Sequence, residues 1–157
     1  MNRGGAMLAV LLLLIPGTAR AEPDPRSVVA GFLAEVRSGR DPDAAARYFA
    51  DEVVAHQLTA EGERAVVRSP ADYAAHVREF LELFGPFELT VEELLADADK
   101  VHVRWKQRGH HLRSLDGEVP SGRPLVEITS VVYRVAHGRI AEYWLQTDRK
   151  GIELQLK

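Results

Sequence analysis

Two side chains in this sequence are suited to moving a proton near neutral pH within an apolar setting: His56, in Val54-Ala55-His56, and Glu127, in Leu125-Val126-Glu127-Ile128-Thr129. Imidazole titrates close to neutrality unaided, and a carboxylate on an apolar wall is a common acid or base. The competing readings are a half-buried histidine bonded to a backbone carbonyl and a strand-end carboxylate in water. His110-His111 suggests a metal pair, but adjacent strand residues point to opposite faces, and the chain has neither cysteine nor H-x-x-x-H spacing. No metal and no cofactor are expected. His111 shares the face of Trp105 and Gln107, and His110 the opposite face, toward solvent. Trp105 is either a flat wall for a ligand or plain core.

The elements that must position these groups follow from the spacing of apolar residues. Val28, Val29, Phe32, Leu33 and Val36 recur at helical intervals after Pro25, and Ser38-Gly39 ends them. Asp41-Pro42 reads as a cap and first-turn proline for a second short helix through Tyr48 and Phe49. Asp51–Leu58 is a short extended piece. Ser69-Pro70 opens a third helix with a stripe of Tyr73, Val77, Phe80, Leu81 and Phe84, closed by Gly85-Pro86.

From Phe87 the period changes to two, through Leu89, Val91, Glu93 and Leu95. Ala96–Lys100 is a turn. Val101, Val103, Trp105, Gln107 and Gly109 then share one face, with charged residues and histidines on the other. Ser114–Arg123 is a connection, Leu125–Val135 a strand, His137-Gly138 a tight turn and Arg139–Thr147 the last strand. On Leu125–Val135, Glu127 shares its face with Thr129, Val131 and Tyr133. Asp148 reads as the N-cap of a short terminal helix. The fold class is α+β: three N-terminal helices packed on a curved antiparallel sheet.

Residues 1–21 read as a secretory signal peptide: Arg3, the apolar run Ala6–Ile15, Pro16-Gly17, and the small-residue site Ala19-Arg20-Ala21. The run is short for a membrane span, so no stable membrane anchor is expected. Cleavage near Ala21-Glu22 would leave one domain, residues 22–157, secreted or periplasmic. Losing Arg3 and Arg20 moves the net charge from −3 to −5, the wrong sign for a nucleic-acid surface.

Several motifs resemble the SnoaL-like polyketide (ester) cyclase family, within the cone-shaped nuclear-transport-factor-2-like superfamily. Leu94–Trp105, LLADADKVHVRW, is similar to that family's L-I-A-E-G-D-K-V-V-V-R-W hairpin. Gly109-His110-His111 with Pro120-Ser121-Gly122-Arg123 resembles G-T-H … P-T-G-R, and Tyr133–Trp144, YRVAHGRIAEYW, resembles F-R-I-E-D-G-K-I-V-E-H-W. Val54-Ala55-His56 resembles V-D-H, and the Asp148…Leu154-Gln155-Leu156 tail resembles D…L-x-Q-L.

The resemblance implies an apolar pocket between sheet and helices, and a metal-free ring closure. An aspartate directly after the last-strand tryptophan and a histidine on the preceding strand would perform it. Carried onto this chain, those positions are Leu145 and Val131, and neither side chain exchanges a proton. With Leu145 inward, Tyr143 and Thr147 face inward too, while Trp144 and Gln146 join Val126, Ile128 and Val132 on an outer face suited to a homodimer. The expected ligand contacts are Trp105, His111, Val131, Tyr133, Tyr143 and Leu145; His56 and Glu127 are the catalytic candidates. Two functions stay open. One is a cofactor-free cyclase, isomerase or hydrolase acting on a small hydrophobic, oxygenated molecule. The other is a non-catalytic exported protein that binds such a molecule.

Overall fold

The structure, a computed structural model, describes residues 22–157; the expected signal peptide lies outside the described residues. Helix α1, Pro25–Phe32, starts on Asp24, whose carboxylate accepts the Ser27 amide at 3.1 Å. It runs into one wide π-turn, Leu33–Arg37, in which the Ser38 amide reaches back five residues to the Leu33 carbonyl at 3.0 Å. That turn keeps Leu33, Val36 and Arg37 all buried. The expected second helix is only a 3₁₀ turn, Pro42–Ala44, followed by α2, Ala45–Tyr48.

Strands β1, Phe49–Thr59, and β2, Gly62–Arg68, form a hairpin before α3, Pro70–Phe84. A reciprocal cap between Ser69 and Asp72 starts α3, and Gly85, at φ +68°, ends it. Strands β3 (Glu88–Asp97), β4 (Lys100–His110), β5 (Pro124–Ala136) and β6 (Arg139–Thr147) then form an antiparallel meander, and α4, Arg149–Leu156, is capped by Asp148.

Two expectations need correcting. The helices do not all precede the sheet, because the β1–β2 hairpin stands before α3. Nor is the sheet wholly antiparallel. Its order is β2-β1-β6-β5-β4-β3, and β1 pairs with β6 in parallel, with Ala55 opposite Tyr143 and His56 opposite Trp144. The α+β class holds, as a six-stranded mixed sheet with four α-helices among the described residues.

The alternation expected for Phe87–Leu95 is also broken. The β3–β4 register slips between Val91 and Glu93, so that Leu94 packs on the core and Leu95 is left 59 % exposed. The core lies between the sheet's inner face and α1 to α3. Phe32 stacks on Phe49 at 5.1 Å and meets Tyr73 and Tyr133 edge-on. A smaller core of Phe84, Leu125, Ile152 and Leu156 sits under α4. Between the two, β4 crosses α3 so closely that a methyl on Gly109 would stand 2.5 Å from the Phe84 carbonyl oxygen.

Candidate functional site

A cavity of about 70 Å³ remains between the inner sheet face and the helices. Its sheet wall is built from cross-strand rungs of β5 and β6: Thr129 opposite Thr147, Val131 opposite Leu145 and Tyr133 opposite Tyr143. Glu127 extends this wall, and Trp105 enters from β4, paired with Thr129. The helices contribute Tyr73, His76 and Phe80 from α3, and the π-turn contributes Arg37.

Arg37 is 2 % exposed, and its guanidinium carbon lies 4.6 Å over the Phe80 ring, 5.1 Å over Trp105 and 5.7 Å over Phe87. Its Nη2 meets Oε1 of Glu127, itself 6 % exposed, at 3.4 Å. The same oxygen accepts the Thr129 hydroxyl at 3.2 Å. Because Thr129 gives its proton there, Thr147 must donate in the 3.0 Å contact between the two threonine hydroxyls. This chain ends in an unmet demand, since Arg37 Nη1 is buried without a partner, as are Trp105 Nε1 and both polar atoms of Gln107, which stands opposite Glu127. Each such donor forgoes about 1–3 kcal/mol until an acceptor reaches it.

Burial holds the tyrosines in their protonated, donor form. It pushes the Tyr143 hydroxyl up to about 12 and raises those of Tyr73 and Tyr133 as well. Burial likewise lowers the pKa of His76, against the opposing pull of its contact with Glu79. The buried phenols and the His76 imidazole are therefore uncharged at neutral pH, and they stand with the Arg37–Glu127 pair among hydrocarbon.

Six of the residues singled out from the sequence meet here: Trp105, Glu127, Val131, Tyr133, Tyr143 and Leu145. His56 does not. On β1 it is Ala55 that faces the core; His56 turns to the opposite face and stacks on Trp144 at 5.0 Å. Its Nδ1 contacts Glu63 and its Nε2 meets Glu142 at 2.9 Å, while Arg134 holds the other Glu142 oxygen at 2.8 Å. Burial works against a charged ring there, but the hydrogen bonds and negative charge of Glu142 and Glu63 outweigh it and raise the pKa above its ordinary 6.5.

His111 follows directly on β4, past the Gly109–Phe84 crossing, and does not line the cavity. It is buried, and its Nδ1 accepts the Ser121 amide at 3.4 Å, which ties down the β4–β5 connection. Arg37 and His76 are the site residues that sequence reasoning passed over. Both follow the helical spacing, Arg37 four residues after Leu33 and His76 four before Phe80. Their polarity concealed membership of the inner stripes.

A family model described as SnoaL-like polyketide cyclase matches residues 27–156. IdmH, a candidate polyketide cyclase from Streptomyces antibioticus, superposes with a TM-score of 0.70 at 26 % identity, over 85 % of this chain and 99 % of that one. A candidate polyketide cyclase from Acidithiobacillus ferrooxidans gives 0.71 at 24 % identity, over 87 % and 97 %. A candidate SnoaL-like polyketide cyclase from Jannaschia sp. CCS1 gives 0.72 at 19 % identity, over 89 % and 97 %. The last two likenesses speak to fold alone. No curated protein matches the chain.

Proposed function

Since the chain belongs to the SnoaL-like polyketide cyclase family, we propose that it takes a small, largely apolar, carbonyl-bearing molecule into the inner cavity and moves a proton on it without a cofactor. Glu127 removes a proton from the carbon next to the carbonyl, and the electron pair moves onto the carbonyl oxygen. That oxygen, now negative, receives Arg37 Nη1. The resulting carbanion equivalent either adds to a second carbonyl of the same molecule, closing a ring, or is reprotonated at another carbon. Glu127 returns its proton in either case, so the base is regenerated.

One observation carries this reading: a carboxylate on the cavity wall stands beside a guanidinium whose other nitrogen has no partner. The charges also balance. Arg37 is matched by Glu127 in the resting site and by the enolate once Glu127 holds the proton, so no net buried charge arises at any stage.

The test is deuterium incorporation from heavy water into a simple cyclic ketone, followed by NMR. Glu127→Gln should slow the exchange by about 100-fold, the usual worth of a general base, and leave ketone binding within a few-fold. Equal exchange in both proteins sinks the assignment.

A second reading, binding without turnover, draws on Val131 and Leu145. These two stand side by side on the cavity's sheet wall, as one β5–β6 rung, at the positions the family resemblance assigns to its acid/base pair. Bound ketone with no exchange in the unaltered protein would decide for it. Export is part of the same proposal, supported by the Ala6–Ile15 run, and the intact mass of the secreted chain checks it. Pairing of two copies through the outer sheet face is proposed as well, and sedimentation checks that.

A further inference from the structure

Glu127 lines two compartments, not one. Besides the inner cavity it borders a pocket of about 200 Å³, open on one side, walled by Leu83, Phe84, Leu115 and Ile152, with exposed Asp116 and Arg149 at its rim. Phe80 is the other residue common to both. The partition is thus made of two side chains. The Phe80 ring is half-buried, 4.6 Å edge-on from His76 and 6.0 Å from Phe84, with the Arg37 guanidinium against its face.

We propose that this outer pocket is a binding compartment for the hydrocarbon body of the ligand whose oxygen is held at Arg37, and that Phe80 sets how far the two spaces communicate. The proposal rests on the reading of the inner cavity as the ligand site. At about 70 Å³ that cavity holds only a few heavy atoms, whereas small-molecule sites usually offer about 300–1,000 Å³. With the outer pocket the space beside the same carboxylate rises to about 270 Å³, close to the lower end of that range.

The order of the walls defines the ligand. The Arg37–Glu127 pair, with its unpartnered donor, lies innermost, hydrocarbon follows, and the next charges, Asp116 and Arg149, stand at the solvent edge. The matching molecule has one neutral carbonyl end and a flat or unbranched apolar body of several carbons. An anionic head is disfavoured, because Glu127 already balances Arg37 and an added anion would stand as net buried charge.

Straight-chain 2-ketones of increasing length are the probe, with affinity measured by NMR titration. Once the inner cavity is full, each added methylene should tighten binding by about fourfold, the worth of one buried CH₂, until the chain reaches solvent near Arg149. Leu115→Trp, which fills the outer pocket, should flatten the series; Phe80→Ala should steepen it. A wild-type series that is flat beyond the shortest ketone, or a Leu115→Trp series as steep as wild type, overturns the compartment and leaves the inner site standing. Failure of every ketone to bind overturns both. Length-dependent binding without deuterium exchange retains the compartment and removes only the proton transfer.

Discussion

Removing the guanidinium of Arg37 should destabilise the protein more than removing both members of its ion pair. Arg37→Met leaves Glu127 charged, buried and held only by Thr129, and breaking a buried pair from one side costs about 3–5 kcal/mol. Adding Glu127→Leu should restore most of that loss, as denaturant midpoints of the two variants would record. A double variant no more stable than the single one would mean that the pair is not the energetic unit.

The histidines act in opposite directions. His56 has a raised pKa, so its stabilising contribution is complete below 6.5 and is lost as pH rises through the raised value. His76 has a lowered pKa, so stability falls as pH drops below 6.5 through that lowered value. His56→Gln should flatten the stability profile on the alkaline side of 6.5 only; an unchanged profile there would contradict the Glu63–His56–Glu142 cluster. Glu127 and its neighbours on β5 were legible because strand parity is strict. Arg37 was not, because a basic residue in a last helical turn ordinarily faces water.

Among the elements, the contact most exposed to a test is the crossing of β4 over the end of α3. Gly109→Ala forces a methyl against the Phe84 backbone, not against a side chain that can swing away. It should cost about 1–3 kcal/mol by overpacking, read as a lower thermal midpoint; an unshifted midpoint would show that α3 can retreat. The caps at Ser69 and Asp148, the stop at Gly85 and the alternation of β4 were plain in the sequence, since each depends on residues a few positions apart. The slip in β3 was hidden: Glu92-Glu93 and Leu94-Leu95 place a carboxylate and a leucine on either face, whichever phase is chosen. The second helix shrank because Phe49 is needed at the start of β1, stacked on Phe32.

At the scale of the molecule, the parallel pairing of β1 with β6 had no local signal at all, because its partners stand roughly ninety residues apart. That pairing also fixes an order of events. The strand joining the β1–β2 hairpin to the meander is the last one in the sequence. While the ribosome is still short of Arg139, the hairpin has no sheet to join and β5 has an open edge, so the nascent polypeptide stays loose and slow to commit. A chain stopped after Ala136 should remain unfolded by circular dichroism, and a cooperative unfolding transition in it would refute this. Under the proposed export, such late closure would keep the thread pliable for as long as a translocation pore requires it.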